Sequence, residues 1–203
     1  MSKPYREPRS FRQQPSRQLR SQLRPSQQSS PPPLALPLPK TKIDSTARVA
    51  VLGVGSDLRS DDAAGLLALE DFRRLTSIGE NHPRVGTWIG GTAPENVTGV
   101  LRRFAPTHLY ILDAAHFKGF PGAIRAIAPS EVGGATFSSH QMPIPIFMHF
   151  LATDLPDTEM VIIGIQPGSV EFGFATSPEV RQAAETVAIW LANIVAPLIG
   201  YPL

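Results

Sequence analysis

The sequence predicts an α/β domain, a three-layer α/β/α sandwich around a mostly parallel twisted sheet, preceded by a disordered N-terminal tail. Three observations carry that prediction. Residues 48–55, RVAVLGVG, form a nearly continuous apolar run, the mark of a strand buried on both faces of a parallel sheet. Apolar runs at 107–114 (THLYILDA) and 160–167 (MVIIGIQP) repeat that signature further along the chain. Segments of helical periodicity separate these runs, and strands alternating with helices argue for parallel strands joined by helical crossovers. No internal repeat interrupts the pattern.

The elements follow in order. After the first strand, Ser60, Asp61 and Asp62 open a helix whose apolar stripe is Leu66, Leu67, Leu69, Phe72 and Leu75. RVGTWIG (84–90) reads as a second strand. Pro94 opens a second helix, PENVTGVLRRF, since proline suits a first helical turn. The third strand, 107–114, ends on Asp113. GAIRAIA (122–128) follows a Pro-Gly turn and reads as a shorter strand, an antiparallel edge. Residues 144–153 are helical, 160–167 form another core strand, and SPEVRQAAETVAIWLANIV (177–195) closes the domain as an amphipathic helix.

The tail stands apart in composition. Of 19 basic and 17 acidic residues, nine Lys/Arg but only Glu7 and Asp44 fall within residues 1–44, so the remainder carries 10 basic and 15 acidic residues, a net of −5. The pI of about 9.2 therefore belongs to the tail and gives no support to a basic nucleic-acid groove in the domain. Residues 1–45 are rich in Pro, Ser, Gln and Arg, with too few apolar residues to offset chain entropy, and PPPLALPLP (31–39) favours a stiff polyproline spacer. An arm for an anionic partner and an organelle transit peptide are the functional readings. Composition favours a dispensable extension, leaving 46–203 as the domain.

Cysteine is absent, which excludes disulfides, thiolate metal sites and a cysteine nucleophile and suits a reducing compartment. No apolar run approaches the ~18 residues of a membrane span. The N-terminus lacks the apolar core of a secretory signal. The expectation is a cytoplasmic protein, without membrane insertion or nucleic-acid binding.

In a parallel sheet, ligands bind beyond the carboxyl ends of the strands, which makes GVGSDLRSDD (53–62) the first candidate site. A dinucleotide loop needs a third glycine where Leu58 stands, and no GK[ST] phosphate loop occurs, so a nucleotide-binding module is a weak alternative. The ordinary account of Asp61 and Asp62 is capping of a helix N-terminus. Asp113 ends a strand at the same sheet edge as Asp62, and its ordinary account is a loop cap. His140 lies in the loop TFSSHQMP (136–143). Asp62, Asp113 and His140 would converge from three segments as two carboxylates and one imidazole, a set suited to Ni²⁺ or Zn²⁺. His116 is a rival ligand three residues beyond Asp113, while His82, His108 and His149 have structural settings. Ser56, Ser138 and Ser139 line the proposed edge, but none sits in a GxSxG elbow, and no HExxH helix occurs.

In order along the chain, GVGSDLRSDDAAG, GGTAPENV, ILDAAHFKGFPGAI, SSHQMP and IIGIQP resemble the hydrogenase maturation endopeptidases, particularly the hydrogenase-3 type, over about Arg48 to Ile194. The resemblance implies an α/β endopeptidase that removes a C-terminal extension from the nickel-loaded precursor of a nickel–iron hydrogenase large subunit. It implies that Asp62, Asp113 and His140 bind nickel, recognised in the precursor, with Asp61 supporting them and no organic cofactor; a monomer is expected. Gly53 and Gly55 would let the backbone approach the site. Ser56 stands where the family usually has Asn, and Ala63 where it commonly has Gly. Those departures motivate the alternative of a non-proteolytic nickel-binding or scaffold protein of hydrogenase assembly.

Overall fold

Strand β1 (Val49–Val54) is buried at every position, as its unbroken apolar run requires. The computed structural model describes residues 43–78, 82–128, 136–137 and 143–200. The tail expected over residues 1–45 lies outside them as far as residue 42, and so does His140. After β1 come a 3-10 turn (Ser60–Ala63), α1 (Ala64–Thr76), β2 (Val85–Gly91), a second 3-10 turn (Pro94–Val97) and α2 (Thr98–Phe104). The chain continues through β3 (His108–His116), β4 (Ile124–Ile127), β5 (Thr136–Phe137), α3 (Ile144–Asp154), β6 (Glu159–Ile165) and α4 (Pro178–Ile199).

The strands lie in the order β2-β1-β3-β6-β4, with β5 paired to β3. β2, β1, β3 and β6 run parallel, while β4 is an antiparallel edge against β6, as the short 122–128 segment predicts. Side chains alternate across the sheet, giving two apolar cores. Val49, Val51, Tyr110 and Leu112 pack under α1 and α4 on one face. Ala50, Leu52, Leu109 and Ile111 pack under α2 and α3 on the other. This is a three-layer α/β/α sandwich.

The helix stripe shifts from the predicted one. α1 buries Ala64, Ala68, Leu69 and Phe72, whereas Leu66 and Leu67 are half-buried and Leu75 is exposed. Its first turn sits directly on the strands: a Cβ on Gly65 would lie 2.1 Å from the Leu112 carbonyl oxygen and 2.4 Å from that of Val54. β3 also runs past the predicted end at residue 114, because β5 pairs with Ala115 and His116 and keeps them extended. Asp113 is therefore inside the strand rather than at its tip.

Helix α4 corrects one sequence expectation. At 22 residues and a mean hydropathy of 1.4, it is long and apolar enough to cross a membrane by length and composition. Within the fold its apolar side is spent on the core: Val180, Ala184, Val187, Ala188, Leu191 and Val195 are fully buried. Asp71 of α1, itself 2% exposed, pairs with Arg181 of α4 at 2.6 Å and with Arg74 at 2.9 Å, tying the two helices together.

Candidate active site

From β1 the chain leaves toward α1 and β2 on one side, then returns through α2 to β3 on the other side of β1. The carboxyl ends of β1 and β3 therefore form the switch point where open α/β sheets open a ligand crevice. The segment after β1 is held tightly there. Gly55 has φ +126°, a region that disfavours any side chain, and a Cβ on it would lie 1.9 Å from the Asp62 carbonyl oxygen. That carbonyl accepts the Ser56 N–H at 3.3 Å, and the Asp62 N–H donates to Arg59 at 3.0 Å. The backbone thus folds back and places a 3-10 turn, rather than a regular first helical turn, at the sheet edge.

Ser60 in this turn has φ +48°, costly for a residue with a side chain. Two long-range bonds hold it: its hydroxyl donates to the Ala175 carbonyl at 3.0 Å, and its carbonyl accepts the Thr176 hydroxyl at 3.0 Å. Asp61 completes the tie. Its Oδ2 accepts the N–H groups of Gly168 (2.8 Å) and Ser169 (3.1 Å), and its Oδ1 accepts that of Ser177 (2.7 Å). Asp61 is fully buried and makes no capping bond to the helical segment it begins. It braces the loop after β6 and the start of α4 instead, which corrects the capping account.

Asp62 has the opposite setting. It is 1% exposed, and its Oδ1 finds no hydrogen-bond partner among the described residues. A buried carboxylate oxygen left unpaired is expensive, and a cation is the partner that would satisfy it. Asp113 is fully buried on β3. Because Leu112 lies against Gly65, three residues beyond Asp62, the fold brings Asp62 and Asp113 to the same switch point. Oxygen donors of this kind fit a divalent cation, and the donor set is compatible with the predicted one. Among the described residues no group of three His, Cys, Asp or Glu could hold a metal by itself. His140, the third residue of the expected set, lies outside the described residues.

The rival His116 does not join this pair. Strand alternation puts it on the opposite face of the sheet from Asp113, exposed, with Nδ1 3.3 Å from Gln166 Nε2. Gln166 itself was missed as a site residue, although it stands next to last in IIGIQP, just past the end of β6. Its Oε1 accepts the N–H groups of Phe117 (2.9 Å) and Gly119 (3.1 Å), and its Nε2 donates to the Pro167 carbonyl at 3.1 Å. It shapes the loop that follows β3. Ser56 is half-buried, and its hydroxyl accepts the Leu58 N–H at 3.3 Å; Ser138 and Ser139 lie outside the described residues.

Around this edge stand large apolar side chains with no core to fill. Leu58 (58% exposed), Phe120 (83%), Phe172 (69%) and Phe174 (64%) all belong to segments that meet at the Asp61 brace. The Gly173 N–H donates to the Leu58 carbonyl at 2.9 Å, bringing three of them together. Two buried carboxylates are also a poor setting for phosphate, which disfavours the nucleotide alternative.

The fold and this edge define a class: a doubly wound α/β protein with a carboxylate site at its switch point and an apolar rim around it. Residues 73–193 match the family model described as HycI, hydrogenase maturation protease. The hydrogenase 3 maturation protease of Escherichia coli strain K12 is 33% identical over 141 residues, covering 68% of this chain and 84% of that protein. The crystal structure of a [NiFe] hydrogenase maturation protease HycI from Thermococcus kodakarensis KOD1 superposes with a TM-score of 0.65 at 30% identity, over 73% of this chain and 92% of that one. The solution structure of an endopeptidase HycI from Escherichia coli gives 0.60 at 31% identity, over 72% and 90%. The chain belongs to the hydrogenase maturation protease family and is a hydrolase of peptide bonds.

Proposed function

We propose that this chain removes a C-terminal extension from the precursor of a nickel–iron hydrogenase large subunit, and that Asp62, Asp113 and His140 bind the nickel which that precursor carries. The observation that carries the reading is Asp62 Oδ1, buried and without a hydrogen-bond partner among the described residues. Nickel held in the substrate would supply a divalent charge able to polarise a carbonyl or acidify water.

The remaining work falls to the chain itself. Asp62 and Asp113 present oxygen donors at the switch point. Asp61 holds the turn that carries Asp62 by accepting three backbone N–H groups from the opposite side of the crevice. Gln166 fixes the loop after β3, and the rim of Leu58, Phe120, Phe172 and Phe174 supplies apolar surface of the kind that marks protein partners. A cysteine-free chain suits work in a reducing cytoplasm, and a monomer suffices for this chemistry.

The test mixes the full chain with a nickel-loaded large-subunit precursor and with a nickel-free control, reading intact mass. Loss of a C-terminal peptide from the loaded form alone supports both halves of the reading. Cleavage of both forms removes nickel from it, and cleavage of neither overturns it.

A further inference from the structure

A groove of about 720 Å³ leaves the site along α1, bounded by Gly55, Ser56 and Ala63 at one end and by Glu70 and Arg73 at the other. The volume is within the range of pockets that enclose ligands, about 300–1,000 Å³. Leu58, Leu66, Leu67 and Leu69 line one wall, and Ile89 of β2 lines the other. The position of Ile89 matters because β2 is an edge strand, paired only to β1 among the described residues.

The direction of each β2 amide follows from the ladder. Val49 donates its N–H to the Arg84 carbonyl, so in a parallel pair Gly86 and Trp88 bond toward β1 while Val85, Thr87 and Ile89 face outward; past the bulge at Gly53/Val54 the Gly91 carbonyl accepts the Gly55 N–H at 3.0 Å. Two of the outward residues are already occupied. The Val85 N–H donates to His82 Nδ1 at 3.1 Å, and the Thr87 carbonyl accepts Arg73 Nη2 at 2.8 Å. Arg73 also bonds the Thr87 hydroxyl at 2.8 Å. These contacts blunt the first half of the edge against stray pairing. Among the described residues Ile89 has no strand on that side, and its side chain is 60% exposed.

We propose that the groove receives an extended segment of the polypeptide substrate, which adds to the sheet by pairing with the outward backbone groups of Ile89. The inference rests on the peptidase reading above and names how that substrate is held. An extended chain is the occupant that fits: a strand edge offers backbone hydrogen bonds, and only a chain in β conformation can take them. Ala63 of the turn that carries Asp62 lines the groove, so a segment bound there lies against that turn. Arg73 on Thr87 sets where pairing stops, and the leucines of α1 receive alternate side chains of the incoming strand.

Proline at position 89 tests this. An outward-facing amide on an edge strand is where proline is tolerated, and Trp88 before it is already extended. Ile89→Pro is expected to raise KM for the precursor about tenfold, the worth of roughly one hydrogen bond, with kcat retained. Ile89→Val keeps the N–H and is expected to stay within about twofold of the parent. On the parent protein, a synthetic peptide carrying the precursor's C-terminal extension is expected to slow hydrogen exchange at the Ile89 amide while leaving the Val85 amide unchanged. Normal processing by a folded Ile89→Pro variant, or peptide binding without protection of Ile89, overturns the groove and leaves the peptidase reading standing. If Ile89→Pro does not fold, the exchange measurement on the parent decides alone. A parent that fails to process the precursor overturns the function, and the groove with it.

Discussion

Asp61 and Asp62 are neighbours in sequence and both buried, yet they serve regions of opposite character. Asp61 faces the loop after β6, where three N–H groups saturate it. Asp62 faces the switch point between β1 and β3, where one oxygen stays unpaired among the described residues. The buried Asp71 follows the first pattern, with two arginines. A carboxylate that stabilises the fold is surrounded by donors. One kept for a ligand is left short of them, and the cost is carried by its neighbours.

That contrast can be broken from either side. The largest effect is expected from Asp62→Ala: processing falls by at least roughly a hundredfold, since a transition-state or ligand contact of about 3 kcal/mol is removed. Thermal melting should meanwhile hold or rise, because a buried polar oxygen without a hydrogen-bond partner among the described residues has gone. If melting instead drops sharply while processing survives, Asp62 belongs with Asp61. Asp61→Ala is expected to act the other way. Stranding three N–H groups costs on the order of 3 kcal/mol, a fall in Tm of roughly 10 °C by scanning calorimetry. Gln166→Ala frees two N–H groups at a more exposed loop and should cost about 1–2 kcal/mol in urea titration. The smallest effect belongs to truncation starting near Lys42, expected to change stability by less than about 0.5 kcal/mol and to leave processing of the precursor intact. A shortened chain that folds but no longer cleaves would give the tail a role.

The strands were legible because burial on both faces writes an apolar run into the sequence, as in Val49–Val54 and Glu159–Ile165. β5 was not, since two residues carry no periodicity, and the extension of β3 through Ala115 and His116 depends on that pairing. The 3-10 turn at Ser60 was hidden for a related reason. What holds Ser60 at φ +48° is Ala175 and Thr176, more than a hundred residues away.

The site shows the same division. Asp62 and Asp113 were expected together because the carboxyl ends of strands are where crevices open; both are buried, Asp62 in the turn after β1 and Asp113 three residues inside the end of β3. The resemblance gave Asp61 a supporting role, but its bonding partners were not legible. Its identity as a helix-start aspartate fits capping equally well, and only the tertiary fold shows that its partners lie on another element. Gln166 and the exposed phenylalanines escaped because a lone amide or aromatic next to a strand end is ordinary in sequence. Their meaning comes from exposure and from the loops they hold.

The bonds of Asp61 also set a clock. They reach 107 to 116 residues down the chain. At synthesis rates of about 5–20 residues per second, a ribosome that has just added Asp61 needs roughly 6 to 23 seconds to add Ser177. During that interval the emerging chain carries both acids without the bonds that brace their turn, so the geometry of the site is completed late in synthesis, by the loop after β6 and the start of α4.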